Sequence, residues 1–125
     1  MLFRSFGGNH LACAAALAVL EVIEQENLIA NAAEVGSYLM NELKKIPQLK
    51  KVRGKGLMIG FDLPDPLKDL RKNLLFGQHI FTGEAKPNTI RLLPSLALRK
   101  KDADEFLEAI QEEIHAMETA APAVK

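Results

Sequence analysis

Apolar residues recur every three or four positions near both ends of this chain, whereas its middle loses this period and becomes rich in glycine. A period of three to four predicts helices with one apolar face, and apolar stretches broken by glycine predict strands with bulges or close backbone contacts. The predicted order is helix, helix, strands, short helix, strands, helix. Because strands and helices do not alternate regularly, we expect an α+β domain with a small antiparallel or mixed sheet and helices packed mainly on one face.

Helix-capping and helix-stopping residues divide the chain into segments. Asn9 is a favoured N-cap ahead of the first helix, and Pro47 ends the second. A chain of 125 residues is long enough for one domain with a core, which we place at residues 1–118. The predicted segments are an opening loop, two helices, strands with one short helix, a last helix and a flexible tail, at residues 1–9, 10–46, 52–98, 101–117 and 119–125.

The middle of the chain carries its own turn and helix signals. Residues 52–63 are expected to be extended, and Pro66 could open a short helix that Gly77 would cap. A short strand at residues 78–83 and a second strand at residues 89–93 would follow, separated by a turn.

The first helix is apolar on nearly all sides, with an uninterrupted run from Leu11 to Leu20. Such a helix is expected to be largely buried, and Cys13 within it to be a small buried hydrophobic residue and not a catalytic thiol. Ten apolar residues are too few to span a bilayer, which needs roughly 20. With Arg4 ahead of it the run could serve as a signal-peptide core, but the apolar pattern continues past Glu21 as in an ordinary helix. Its small polar surface indicates that further protein would be needed to cover it.

Charge and cysteine content exclude several classes of protein. The 16 basic and 16 acidic residues cancel, so we expect neither nucleic acid nor a membrane as a partner. A hydrophobic content of 48% with no net charge argues against intrinsic disorder. The single cysteine cannot form an internal disulfide, which fits a cytoplasmic location.

Three segments, taken together and in this order, resemble the C-terminal small domain of class-III, fold-type-I aminotransferases, which depend on pyridoxal phosphate. They read FGGNHLACAAA at residues 6–16, VRGKGLM at residues 52–58 and NTIRLLP at residues 88–94. The resemblance is nearest to the acetylornithine aminotransferase group and covers the chain except for its tail.

This resemblance implies a homodimeric enzyme that transfers an amino group between N-acetylornithine and 2-oxoglutarate in arginine biosynthesis. Its ligands would be amino-acid and 2-oxo-acid substrates together with the cofactor, which acts as an electron sink. The family's catalytic lysine precedes the first of the three segments, so the chain alone is expected to be inactive and to contain no catalytic residue. The alternative is a non-catalytic interaction or structural module derived from such a domain.

The resemblance also implies a cofactor-binding role for Ser5 and Phe6. The family usually has a hydroxyl residue directly before Phe-Gly-Gly-Asn, where it binds the cofactor phosphate in the partner subunit's active site, and Ser5 keeps that hydroxyl. The alternative is a loop serine ahead of a capped helix. Arg4 departs from the small residue common in the family, and it could either add a phosphate contact or crowd the site.

Arg91 is the candidate substrate-binding residue. It lies between Ile90 and Leu92 in a β-prone run. If it faced inward it would need an anionic partner, because an unpaired buried charge is very costly; if the strand alternates, it faces outward. The resemblance implies that Arg91 binds the substrate carboxylate, which guanidinium groups contact in a bidentate manner.

The other polar residues carry weaker signals. Arg53 is either structural or at the edge of the substrate cleft. The three histidines, His10, His79 and His115, are too far apart in sequence for a metal-ligand motif, so no metal site is predicted.

Overall fold

The computed structural model describes residues 7–86 and 88–120, and this part of the chain holds four α-helices and one four-stranded antiparallel sheet. It confirms the predicted α+β class. The helices are α1 (His10–Gln25), α2 (Leu28–Lys45), α3 (Leu70–Gly77) and α4 (Lys100–Ala120), with a 3₁₀ turn at Asp65–Leu67; the strands are β1 (Lys50–Lys55), β2 (Met58–Asp62), β3 (Gly83–Lys86) and β4 (Thr89–Leu92).

The sheet has the strand order β1-β2-β4-β3, so the two hairpins meet where β2 pairs with β4. The glycine-rich stretch that was expected to be extended is the first hairpin, because Gly56 and Leu57 turn the chain between Lys55 and Met58. Gly56 has a φ of 55°, a conformation that glycine adopts without strain.

The core lies on one face of the sheet. Ile59 and Phe61 of β2 are buried opposite Leu92 and Ile90 of β4, as a two-residue alternation requires. The predicted apolar stripes of α2 and α4 pack on this face together with α3. Their buried apolar residues are Ala32, Val35, Leu39, Leu43, Leu70, Leu74, Ala103, Leu107, Ala109, Ile110 and Ile114.

The end of α3 differs from the prediction. Gly77 is the last helical residue and not a left-handed cap; the left-handed residue is His79, with a φ of 56°. The Leu74 carbonyl accepts hydrogen bonds from the backbone N–H groups of Gln78 and Ile80. The absence of a side chain at Gly77 instead permits close approach to α4, since a Cβ there would lie 3.1 Å from a Glu113 carboxylate oxygen.

The second hairpin also begins later than predicted. Residues 78–82 are not in a strand, and β3 starts at Gly83, the first residue of that segment with a partner on β4. A turn containing Asn88 joins β3 to β4, as expected. At the other end of the chain, α4 starts at Lys100 and continues to Ala120, three residues beyond its predicted end.

Helix α1 was expected to be largely buried, and this prediction is wrong for the described chain. Asn9 caps the helix as expected, its side chain accepting a hydrogen bond from the Ala12 N–H at 2.8 Å, but no residue of α1 is buried. Leu11 is 82% exposed and Leu17 61%, and Cys13, expected to be buried, is exposed. The helix contacts α2 and little else, so its apolar surface has no cover among the described residues. None of the described helices is both long and apolar enough to cross a membrane.

Helix α2 approaches the first hairpin closely at one point. Gly36 is buried, and a Cβ at this position would lie 2.1 Å from the Gly56 carbonyl oxygen. Because the obstructing atom belongs to the backbone of a tight turn, it cannot move aside as a flexible side chain could.

We predict that Gly36→Ala lowers the free energy of unfolding by more than about 2 kcal/mol, because overpacking at backbone outweighs the helix-propensity gain of about 1 kcal/mol. Denaturant unfolding followed by circular dichroism measures the change. Ser37→Ala, at the exposed neighbouring position, is the control and should stay within about 0.5 kcal/mol of the parent chain. Equal stabilities of the two variants would contradict the close approach.

A polar contact joins α2 to α4. The Tyr38 hydroxyl donates to a carboxylate oxygen of Asp104 at 2.5 Å, and the Lys100 ammonium lies 4.5 Å from the centre of the Tyr38 ring. The hydrogen bond to Asp104 is the main cause that raises the pKa of Tyr38 to about 12, from a usual value of 10.0.

Because the chain has one tyrosine and no tryptophan, the near-ultraviolet absorbance of tyrosinate reports on Tyr38 alone. We expect a titration midpoint near pH 12 in the folded chain, and a midpoint shifted towards 10 in Asp104→Asn. Because folding raises the pKa of Tyr38, protonation of its hydroxyl adds to the free energy of unfolding below pH 10, and this contribution is lost as the pH rises towards 12. Glu42→Gln, whose carboxylate acts on Tyr38 only at a distance, should leave the midpoint close to its original value; a parent midpoint of 10 would refute the contact.

Candidate functional site

Arg91 lies on the face of the sheet opposite the core. Its neighbours Ile90 and Leu92 are buried, whereas Arg91 is exposed. The Arg91 side chain therefore points outward, as strict alternation along the strand predicts. Among the described residues its guanidinium has no hydrogen bond or ion pair. An exposed, unpaired guanidinium needs no partner for folding and is available to an anion.

Two arginines and two glycines form one row across this open face. Arg53 of β1 pairs with Gly60 of β2, Gly60 pairs with Arg91 of β4, and Arg91 pairs with Gly83 of β3. A Cβ at Gly83 would lie 3.0 Å from the Arg91 carbonyl oxygen and 3.6 Å from its Nε. The glycines therefore leave the space beside Arg91 free of side chains.

Arg53 differs from Arg91 in having two partners within the chain. Its Nη2 donates to a carboxylate oxygen of Asp62 at 3.0 Å, and its Nη1 donates to the Lys51 carbonyl at 2.8 Å. The same Asp62 oxygen accepts from the buried Thr89 hydroxyl at 2.9 Å. The hydrogen bond from Arg53, followed by that from Thr89, holds the pKa of Asp62 below its usual value, so the carboxylate is ionised at neutral pH.

A cavity of about 470 Å³ extends from Arg91 between the sheet edge and α4. Its walls include the side chains of Phe81, Leu93 and Phe106, of which Phe81 is 79% exposed. Thr82, a buried residue, also lines the cavity, and its hydroxyl is the one buried side-chain polar atom in the described part of the chain without a hydrogen-bond partner. The cavity is therefore mainly apolar, and its charged lining residues are Arg91, Asp102 and Glu105.

The predicted cofactor-binding residues Ser5 and Phe6, and Arg4 beside them, lie outside the described residues. The segment that follows them is described: Gly7 and Gly8 have φ values of 46° and 68°, and lead into the start of α1. The sequence reasoning did not identify Asp62, Thr89 or Thr82. Only Asp62 had a possible signal, since an acidic residue shortly after the VRGKGLM segment could pair with its arginine.

The described residues offer neither a metal site nor an enclosed lysine for pyridoxal phosphate. Within residues 7–86 and 88–120, no group of three His, Cys, Asp or Glu side chains could hold a metal ion. Every lysine whose side chain is described is exposed, and none lines the cavity beside Arg91. These lysines do not fit the enclosed position that a covalently bound cofactor requires, whereas an exposed arginine fits a substrate carboxylate.

Sequence comparison places most of the chain in one family. Residues 4–114 match the family described as Aminotransferase class-III. Ornithine aminotransferase of Halalkalibacterium halodurans is 41% identical over 108 residues, 85% of this chain and 27% of that protein. Acetylornithine aminotransferase of Archaeoglobus fulgidus is 42% identical over 104 residues, 83% of this chain and 27% of that protein. The chain thus spans little more than a quarter of the length of these curated relatives.

Solved structures show the same fold. Acetylornithine aminotransferase from Elizabethkingia anophelis superposes with a TM-score of 0.80 at 31% identity, over 93% of this chain and 32% of that one. Lysine aminotransferase from M. tuberculosis gives a TM-score of 0.83 at 28% identity, over 93% of this chain and 28% of that one. Together with the family match over residues 4–114, these comparisons show that the chain belongs to the class-III aminotransferases.

Proposed function

We propose that this chain is the C-terminal small domain of a pyridoxal-phosphate-dependent, acetylornithine-type aminotransferase. The complete enzyme would transfer an amino group between N-acetylornithine and 2-oxoglutarate in arginine biosynthesis, as a cytoplasmic homodimer. Relatives named acetylornithine aminotransferase at 42% and 40% identity support this substrate. Relatives named ornithine aminotransferase at similar identity support a variant of the proposal in which free ornithine is the donor.

The observation that carries the proposal is the state of Arg91. It is exposed, lies between two glycines of the sheet row and has no ion pair among the described residues. Amino-acid and 2-oxo-acid substrates both carry a carboxylate beside the reacting carbon. A guanidinium that binds this carboxylate in a bidentate manner would fix the position and orientation of the substrate, which is a large part of what a protein contributes to such a reaction.

Pyridoxal phosphate would supply the electron sink for amino-group transfer. In this proposal Ser5 and Phe6 contribute to the phosphate site of the partner subunit, which a hydroxyl and backbone N–H groups suit. The lysine that holds the cofactor would come from the part of the enzyme outside this chain. The domain alone would accordingly bind and orient a substrate carboxylate without catalysing transfer.

The exposed surface of α1 favours a second candidate, a non-catalytic interaction module derived from such a domain. Leu11, Leu17 and Leu20 are each more than 60% exposed, and apolar exposure on this scale marks a contact surface. In the leading proposal the same surface lies against the rest of the enzyme. Cofactor-independent self-association of the chain would support the second candidate.

Replacing Arg91 with lysine in the complete enzyme should raise the KM for the 2-oxo acid about 10- to 100-fold, because a point charge cannot reproduce the bidentate contact. Steady-state kinetics measures the change. Arg99→Lys is the control: Arg99 is an exposed arginine paired with Asp102 and should leave KM within about twofold. A KM for Arg91→Lys no higher than that of the control would rule out the carboxylate-binding role.

We expect the chain alone to form no stoichiometric adduct with pyridoxal phosphate. The test is incubation with the cofactor, borohydride reduction and peptide mapping by mass spectrometry, alongside an assay for glutamate made from N-acetylornithine and 2-oxoglutarate. Exposed lysines should show only scattered, partial labelling and no glutamate should form. One fully labelled lysine together with turnover would mean that the chain carries its own catalytic lysine.

A further inference from the structure

The two arginines of the sheet row have the same charge and face the same side, yet only Arg53 forms hydrogen bonds and an ion pair with described residues. Arg53 and Arg91 are separated by the single residue Gly60, so their Cα atoms are about 10 Å apart, two strand spacings. No side chain at Gly60 stands between them. By position alone, either guanidinium could receive an anion that approaches this face.

Asp62 creates the difference between them. Its carboxylate accepts from Arg53 at 3.0 Å and from Thr89 at 2.9 Å, and no hydrogen bond or ion pair links it to Arg91 in the described part of the chain. Arg53 is held from a second side by the Lys51 carbonyl at 2.8 Å. These two partners hold the Arg53 guanidinium in one orientation, and the Asp62 carboxylate offsets its charge, so Arg53 attracts a further anion less strongly than the unpaired Arg91 does.

We infer that Asp62 is a specificity-determining residue, which withdraws Arg53 from substrate binding and leaves Arg91 as the guanidinium of this row that is open to a carboxylate. The inference rests on the proposed role of Arg91. Asp62 touches no substrate in this scheme and acts through Arg53, so it is a positioning residue. Its effect is to let one carboxylate group bind at one defined place on a face that carries two arginines.

Release of Arg53 should change which anions the face prefers. In Asp62→Asn the ion pair is lost while the amide oxygen can still accept from Thr89, so the local fold is retained. The freed Arg53 and Arg91 could then bind the two ends of one dicarboxylate. We expect the dissociation constant of glutarate to fall about fivefold or more, and that of propionate to change less than about twofold, because only the dicarboxylate gains a second contact.

The experiment is an NMR titration of the ¹⁵N-labelled chain with glutarate or propionate, at constant ionic strength and near-neutral pH, following the arginine Nε–H resonances. Asp65→Asn is the matched control, since it makes the same change in net charge at an exposed carboxylate that contacts Asn88 and not Arg53. Arg53→Gln in the Asp62→Asn background should abolish the gain. Selective tightening for glutarate in Asp62→Asn, absent from Asp65→Asn and reversed in the double variant, supports the inference.

Three results would overturn it: no selective gain in Asp62→Asn, the same gain in Asp65→Asn, or a gain that survives loss of Arg53. Arg53→Gln alone gives a test that does not depend on the folding of Asp62→Asn. It should leave propionate binding unchanged, and a weakening there would show that Arg53 was never withdrawn. Failure of the proposed function is distinguishable, because it appears as unchanged propionate binding in Arg91→Gln of the otherwise unaltered chain.

Discussion

The pairing of β2 with β4 determines both the core and the candidate site. It sets Ile59 opposite Leu92 and Phe61 opposite Ile90 on the helix-covered face. The same register places Arg91 and the Asp62–Thr89 contact on the other face. Because successive strand residues alternate between faces, a slip by one residue would bury Arg91 among apolar helices and expose Ile90 and Leu92. The free energy of the core therefore also fixes the direction in which Arg91 points.

Local sequence signals were sufficient to predict the helices and the class of the fold. The stripes of α2 and α4 are read from residues three and four apart, and their packing partner is the core of the same chain. The same reasoning failed for α1, because an apolar surface indicates that cover is needed but not which polypeptide supplies it. Gly77 was misassigned for a related reason: a glycine near a helix end suits a left-handed cap, but here it accommodates Glu113 of a helix distant in sequence.

The candidate site was predicted in part. Alternation alone indicated an outward Arg91, and family resemblance indicated its role, which remains a proposal. The difference between Arg53 and Arg91 could not be read from either source, because it depends on cross-strand neighbours. Asp62 is 9 residues from Arg53 and 27 from Thr89 along the chain, and only the register of two strand pairs brings the three together.

The strand order also has a kinetic consequence. Each hairpin joins strands that are adjacent in sequence, so either can form with little loss of chain entropy. The central pairing of β2 with β4 joins residues at least 27 positions apart, the separation of Asp62 and Thr89, with α3 folded between them. We expect closure of that loop to be slower than formation of either hairpin, because its ends lie farther apart along the chain. The four-residue ladder that orients Arg91 is thus also the one that joins the two hairpins into a single sheet.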